Sequence, residues 1–130
     1  NLKRKNILNV KIIDPVSRIE LLKYYKNTDI LFLHLDDKKS NLKVIPSKIF
    51  EYACTNKPIL AGVSGEIENF IKDNINNSYI FKPCDYLSAK SIILKNLFQE
   101  KSRAEFISRF NRVSICEKMI ASIISTSNAK

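Results

Sequence analysis

Short apolar runs recur along the chain and predict four buried strands, at 9–13, 29–35, 58–61 and 79–81. The second run is apolar almost without alternation, which is typical of a parallel strand that is covered on both faces. Amphipathic patterns lie between and after these runs and predict helices. The helices are expected from Ser17 to about Asn27, from Pro46 to about Thr55, after Gly65, after Asp85, and twice more in the terminal segment 103–130.

This alternation of strands and helices predicts βαβ units, and therefore a parallel sheet with right-handed crossovers. The expected fold class is α/β, a Rossmann-like three-layer sheet with helices on both faces, in one domain that occupies 1–130. In such sheets, ligands bind outside the carboxyl ends of the strands. That edge is expected to hold Asp14, the loop 34–45, the turn 62–66 and the segment 82–85.

Glycine is scarce, with two residues among 130, and this changes the kind of phosphate site that the fold can hold. Glycine-rich cradles such as the P-loop and G-x-G-x-x-G are excluded. The net charge of +9 suggests an anionic partner, which could be a phosphate-bearing ligand, a nucleic acid or an acidic membrane surface. The lysines are spread along the chain rather than gathered on one helix, so the charge favours none of these partners and nucleic acid is not expected.

Three widely spaced cysteines, Cys54, Cys84 and Cys116, argue against a disulfide framework or a zinc site and are expected to be small core residues. No apolar stretch is long enough to span a membrane, and the chain starts without a signal-peptide pattern. These features predict a cytoplasmic protein. Because the first residue is Asn1 rather than a methionine, we expect the chain to be a piece of a longer protein.

The densest polar cluster at the expected ligand edge begins at Pro46, in the first turn of the second predicted helix. Ser47, Lys48 and Glu51 share the polar face of this helix. A helix N-terminus attracts anions, and Lys48 adds a full positive charge there. Glu51, one turn later, can accept hydrogen bonds from a vicinal diol such as a ribose. A solvated Lys–Glu face remains the alternative interpretation of this cluster.

Several segments of the chain resemble the donor-nucleotide half of GT-B glycosyltransferases, and most closely family 4, the "group 1" enzymes of bacterial surface-polysaccharide assembly. The resemblance extends over 10–97, and 46–62 is its specific part. It is carried by Asp29-Ile30-Leu31-Phe32-Leu33, Ile45-Pro46-Ser47-Lys48-Ile49-Phe50-Glu51-Tyr52-Ala53, Lys57-Pro58-Ile59-Leu60-Ala61-Gly62 and Ser64-Gly65-Glu66.

The resemblance implies a role for several residues. Glu51 corresponds to the second glutamate of the family's Glu-x7-Glu pair and would bind the ribose hydroxyls. Ser47 and Lys48 would lie beside the donor, and Gly65 and Glu66 would lie in the turn near the nucleotide. The helices of 103–130 correspond to the segment that crosses back to the other domain in this fold.

Some positions depart from the family pattern. The first glutamate of the pair is expected at position 43, where this chain has Lys43. His34, Lys43 and Pro46 are therefore assigned only to the edge of the donor site, and no catalytic residue is assigned. A metal at Asp36 and Asp37 is not expected, because adjacent residues of an extended segment point apart and the family chemistry is metal-independent.

The resemblance implies a hexosyltransferase that uses a nucleotide diphosphate sugar and no other cofactor. The acceptor, a glycan or a lipid-linked glycan, would bind through an N-terminal domain that this chain lacks. The chain alone is expected to bind nucleotide without transferring sugar. Its location would be cytoplasmic, with peripheral association at the inner face of the membrane left open.

Three other classes of protein remain as alternatives. Lys82-Pro83 and the Asp36-Asp37 pair resemble features of response-regulator receiver domains, although the spacing differs. Another nucleotide-binding α/β module belongs to the same alternative. A nucleotide-sugar epimerase shares the GT-B fold but needs acid and base residues that the sequence does not reveal. Nucleic-acid binding is suggested by charge alone.

Overall fold

The computed structural model describes residues 7 to 127, and at its centre lies a three-stranded parallel sheet in the order β1-β2-β3. The strands are β1 Leu31–His34, β2 Ile59–Gly62 and β3 Ser78–Phe81. The helices are α1 Arg18–Lys26, α2 Lys48–Ala53, α3 Glu66–Asn74, α4 Tyr86–Lys95, α5 Ala104–Phe110 and α6 Arg112–Ser127, and a short 3₁₀ helix covers Lys39–Lys43. The predicted α/β class and the parallel sheet are confirmed.

The register of the strands decides which side chains share a face of the sheet. Neighbouring partners are Leu33 with Ala61 and Ile80, and His34 with Gly62 and Phe81. Because partners in register point to the same side, the sheet has two chemically different faces. The first face carries Leu31, Leu33, Ile59, Ala61 and Ile80, and the second carries Phe32, His34, Leu60, Gly62, Tyr79 and Phe81.

Helices α1, α2, α3 and α5 form the hydrophobic core on the first face. The buried side chains that they contribute are Tyr25 from α1, Ile49, Tyr52 and Ala53 from α2, Ile67 and Ile71 from α3, and Phe106 from α5. Four phenylalanines join α2, α3 and α5 to one another, with centroid distances of 5.3 Å between Phe50 and Phe70 and 4.6 Å between Phe106 and Phe110. Aromatic contacts of this kind stabilise a core beyond the area that they bury.

The second face is covered unevenly. Phe98, which follows α4, packs edge-on against Tyr79 at 4.9 Å, and Leu60 in the central strand is only 3% exposed. Phe32 of the edge strand β1 is 54% exposed. The expected third layer is therefore complete over β3 and incomplete over β1 in the described part of the chain.

Side chains cap the N-termini of two helices. Ser17 caps α1 by accepting a hydrogen bond from the amide of Glu20 at 3.3 Å, as the sequence predicts. Asp85 caps α4, with the amide of Ser88 at 3.0 Å and the hydroxyl of Ser88 at 2.6 Å. These two hydrogen bonds lower the pKa of the Asp85 carboxyl, because they stabilise its charged form.

Arg103 joins the terminal helices to the amino-terminal edge of the sheet. Its side chain is 2% exposed, and its guanidinium donates to the carbonyl oxygens of Thr55, Asn76 and Asn77 at 2.6, 3.0 and 3.1 Å. Burial lowers the pKa of Arg103 to about 10, so the group remains protonated at neutral pH. The sequence analysis did not single out this residue.

Three expectations about the fold are wrong. The segment 9–13 is not a strand, and Val10 and Ile12 are 50% and 78% exposed; a β-branched run forms a strand only where a neighbour pairs with it. The helix expected over 46–55 is shorter, because α2 covers only Lys48–Ala53. The cysteines are not core residues, since Cys54, Cys84 and Cys116 are all exposed.

The ends of the predicted domain, 1–6 and 128–130, lie outside the described residues. In 7–127, none of the helices combines the length and the hydropathy that a membrane span requires.

Candidate functional site

The carboxyl ends of the three strands lie side by side, because His34, Gly62 and Phe81 are in register. The loops that follow them begin at Leu35, Val63 and Lys82. These loops form the edge of the sheet at which the sequence analysis expected a ligand.

Three of the predicted site residues lie on the exposed face of α2. Ser47, Lys48 and Glu51 are all exposed, whereas Ile49 and Ala53 on the opposite face are fully buried. Glu51 follows Lys48 by one turn, so the two side chains are neighbours on the helix surface. Ser47 occupies the N-cap position but makes no capping hydrogen bond with its side chain. The arrangement that the spacing predicted is therefore present.

Glu51 has a partner that the sequence analysis missed. The hydroxyl of Tyr25, on α1, donates a hydrogen bond to Oε2 of Glu51 at 3.2 Å. The Tyr25 side chain is 8% exposed and meets Tyr52 edge-on, with ring centroids 5.5 Å apart. A buried tyrosine hydroxyl usually finds a hydrogen-bond partner, so Tyr25 in the apolar stripe of α1 was the signal that could have revealed this contact.

The pKa values of the Tyr25 and Tyr52 hydroxyls are both raised in this arrangement. Burial raises the pKa of Tyr25 to about 12, and the Glu51 carboxylate adds to the shift. Burial, with a smaller effect from Glu51, also raises the pKa of Tyr52. The Tyr25 hydroxyl is therefore protonated, and able to donate, throughout the neutral pH range.

Gly65 and Glu66 belong to a second group, at the start of α3. Gly65 has a φ of +77° and lies directly against the backbone of Leu42 in the 3₁₀ helix, where a Cβ would overlap the Leu42 carbonyl. This contact brings the turn at Gly65 next to Lys43, the last residue of that 3₁₀ helix. Glu66 and Lys43 are both exposed.

His34 belongs to a third group, on the second face of the sheet. Its Nε2 accepts a hydrogen bond from the amide of Cys84 at 3.1 Å. The ring lies nearly parallel to Phe32, with 6.2 Å between centroids. His34 therefore connects β1 to the loop after β3, and Cys84 adopts a φ of +64° in that loop.

The loop after β1 holds Asp36 in local contacts. Lys38 forms an ion pair with Asp36 at 2.6 Å and lowers the pKa of the Asp36 carboxyl. Asn41 also donates a hydrogen bond to the Asp36 side chain. Between residues 7 and 127, no group of three or more His, Cys, Asp or Glu side chains is placed to hold a metal ion.

Two depressions lie near these residues. An open cleft of about 740 Å³ lies between α3 and α4 at the carboxyl edge, and its polar lining includes Ser64, Glu68, Lys82 and Asp85. A smaller groove of about 260 Å³ lies between α1 and α2. Its lining residues are Arg18, Leu21, Leu22, Tyr25, Phe50, Glu51 and Cys54.

The predicted site residues thus do not share one pocket. Glu51 faces the α1–α2 groove, whereas neither Lys48 nor Glu51 lines the larger cleft. Within the described range, no hydrogen bond or ion pair joins either of these residues to Gly65 or Glu66. Comparison of the chain with protein-family models, with curated proteins and with solved structures finds no match in any of the three.

Proposed function

We propose that the chain is the donor-nucleotide-binding half of a GT-B glycosyltransferase. The enzyme would move a hexosyl group from a nucleotide diphosphate sugar to a glycan or lipid-linked acceptor in bacterial surface-polysaccharide synthesis. The observation that carries the proposal is the exposed pair Lys48 and Glu51, one helical turn apart on α2 beside a parallel sheet. The resemblance of the segment 46–62 to the family's donor-binding segment supports it.

The two side chains suit the two polar parts of a nucleotide diphosphate. The ammonium of Lys48 is a compact positive charge that can contact the diphosphate. Ionised, the carboxylate of Glu51 has about four acceptor sites and can take hydrogen bonds from both ribose hydroxyls. Because α2 has only six residues, we assign the attraction for phosphate to the charge of Lys48 rather than to the helix terminus.

The remaining predicted residues are assigned secondary roles. Ser47, Gly65 and Glu66 are proposed to lie beside the donor, and His34, Lys43 and Pro46 at its edge. Lys43 stands where the family pattern has a carboxylate that faces the sugar, so this chain would recognise the sugar differently. The acceptor would bind to a second domain, and the chain alone is expected to bind donor without transferring it. This activity would take place in the cytoplasm, with peripheral association at the inner face of the membrane left open.

Titration with uridine diphosphate and guanosine diphosphate, followed by NMR and calorimetry, tests the proposal. One of the two is expected to bind and to shift the amide resonances of Lys48 and Glu51. Loss of a hydrogen bond to a charged group typically costs 1.5 to 3 kcal/mol, so Lys48→Ala should weaken diphosphate binding roughly tenfold to a hundredfold. The same substitution should affect the nucleoside much less, while Glu51→Ala should remove the preference for ribose.

Matched controls are available on other helices. Lys90 on α4 and Glu117 on α6 are exposed, so Lys90→Ala and Glu117→Ala repeat the two charge changes away from α2. Both controls should bind as the unchanged protein does. Absence of any shift around Lys48 and Glu51 with either nucleotide would count against the proposal.

Two alternative functions, a receiver-like module and a nucleic-acid-binding protein, predict different results in simple assays. Stable aspartyl phosphorylation by a phosphodonor with Mg²⁺ would favour the receiver-like module, although the central strand β2 ends in Ala61-Gly62 and offers no aspartate. Tight DNA or RNA binding that weakens steeply with salt would favour a nucleic-acid-binding protein.

A further inference from the structure

The carboxylate of Glu51 is held by a contact between two helices that are distant in the sequence. Tyr25 lies near the end of α1, 26 residues before Glu51, and its hydroxyl reaches Oε2 at 3.2 Å. The Tyr25 ring is itself fixed, because it is buried and stands at 89° to the ring of Tyr52. The donor is therefore part of the core, while the acceptor is an exposed side chain on α2.

This contact reduces the conformational freedom that the Glu51 side chain would lose when a ligand binds. A free glutamate side chain loses considerable rotamer freedom when it is ordered, and a ligand that orders it loses affinity accordingly. The hydrogen bond from Tyr25 limits that freedom before any ligand arrives. It occupies one of about four acceptor sites on the carboxylate, so Oε1 and the second lone pair of Oε2 stay free for a diol.

The surroundings of the pair also suit a sugar ring. Tyr25 and Glu51 both line the α1–α2 groove of about 260 Å³. The other residues of this groove include Leu21, Leu22 and Phe50, which supply apolar surface, and Arg18, which supplies a positive charge at its margin. A ribose can thus approach the carboxylate through a partly apolar groove.

We propose that Tyr25 is a positioning residue that holds the Glu51 carboxylate ready to accept hydrogen bonds from the 2′- and 3′-hydroxyls of a ribose in the α1–α2 groove. This inference rests on the proposed function, because it gives a role to the same carboxylate. It assigns to Tyr25 an effect on discrimination between ribose and deoxyribose, acting through Glu51 and not by touching the ligand.

The experiment compares uridine diphosphate with 2′-deoxyuridine diphosphate, and the corresponding guanosine pair, by calorimetry. The unchanged protein is expected to prefer the ribose form about tenfold, as one hydrogen bond to a carboxylate allows. Tyr25→Phe should reduce this preference to about threefold or less while leaving the affinity for the deoxy form unchanged. Tyr24→Phe, one position earlier on α1 and more exposed, is the matched control and should keep the full preference.

A merely structural role would produce a different result. If Tyr25 only stabilised the fold, Tyr25→Phe would lower the midpoint of urea unfolding and leave the preference for ribose unchanged, which would overturn the inference. In a Glu51→Ala background, Tyr25→Phe should have no further effect on the preference, because the carboxylate through which it acts is gone. A change in the affinity for the ribose form in that background would also overturn the inference.

The failure of the inference is separate from the failure of the proposed function. If the unchanged protein binds neither nucleotide diphosphate, the proposed function is wrong. If it binds one of them and Tyr25→Phe keeps the preference, only the role of Tyr25 is wrong. Should Tyr25→Phe unfold the chain, Glu51→Asp takes the carboxylate out of reach of Tyr25 while keeping its charge on α2. Retention of the full ribose preference in that variant would contradict the inference.

Discussion

The guanidinium of Arg103 lies buried against the carbonyl of Thr55, with 2.6 Å between Nη1 and the oxygen. Two residues that precede Arg103 contact the segment just before β2. The amide of Lys101 donates to the carbonyl of Asn56 at 3.0 Å, and Lys57 forms an ion pair with Glu100 at 2.5 Å. The segment before α5 is thus fixed to the amino-terminal edge of the sheet, opposite the candidate site.

We expect Arg103→Ala to be among the most destabilising single substitutions in this chain. It removes three hydrogen bonds to carbonyls from a fully buried position and leaves a cavity, so the free energy of unfolding should fall by about 3 kcal/mol or more. Urea unfolding followed by circular dichroism measures this. Arg112→Ala changes an exposed arginine on α6 and should alter stability by less than about 0.5 kcal/mol. Similar stabilities for the two variants would contradict the role of Arg103.

Gly62 should tolerate no side chain, because the rings of two neighbours converge above it. A Cβ at this position would lie 2.5 Å from Cδ2 of His34 and 2.6 Å from the ring of Phe81. We expect Gly62→Ala to lower the free energy of unfolding by roughly 1 to 3 kcal/mol through overpacking.

A double-mutant cycle tests whether the cause is this overlap. Gly62→Ala should lower the free energy of unfolding by less in a His34→Ala background, since one of the two obstructing rings is gone. Strictly additive effects of the two substitutions would show that the cost arises elsewhere.

Gly65 is expected to be restricted for two reasons at once. Its φ of +77° is unfavourable for residues with a side chain, and a Cβ would overlap the backbone of Leu42. Gly65→Ala should therefore destabilise the chain by roughly 2 to 4 kcal/mol. Ser64→Ala, at the adjacent position, should change stability by only a few tenths of a kcal/mol. Thermal unfolding of both variants would separate the backbone effect from a general sensitivity of this turn.

Tyr25 should make the stability of the chain depend on pH in the alkaline range. Its pKa is raised from 10.0 to about 12 in the folded state, chiefly by burial. Between these two values, the unfolded chain has lost the proton that the folded chain still holds, so the free energy of unfolding falls as pH rises. Below pH 10 this contribution is fully present.

Unfolding measured between pH 8 and pH 11.5 checks this expectation. The lysines titrate in the same range in every variant, so the informative quantity is the difference between the unchanged protein and Tyr25→Phe. That difference should stay constant up to about pH 9.5 and then shrink. Parallel curves over the whole range would mean that Tyr25 ionises as readily in the folded chain as in the unfolded one.

The sequence alone was sufficient for the features that depend on local pattern. Apolar runs identified the three strands of the described sheet, although only β2 is buried at every position and β1 has one exposed face. Ser17 marked the start of α1, because its hydroxyl can satisfy a free backbone amide. The spacing of Lys48 and Glu51 placed them together on the exposed face of α2, since helical geometry alone decides this.

The predictions from sequence were wrong where burial or strand pairing depends on residues that are distant in the chain. The run 9–13 has the β-branched composition of a strand, yet no neighbouring strand pairs with it in the described structure. The surroundings of Cys54 in the sequence are apolar, but Cys54 is the C-cap residue of α2 and is exposed. In both cases, tertiary packing and not composition decides burial.

The sequence by itself therefore determined an α/β chain with a parallel sheet, and it nominated Lys48 and Glu51 as neighbours on one helix. Only the tertiary structure decided that Tyr25 holds Glu51, that the Cys84 amide binds His34, and that Arg103 holds the terminal helices to the sheet. Each of these contacts joins residues that are 26 or more positions apart. Their distance depends on how the helices and loops pack around the sheet, and no periodicity in the sequence encodes that.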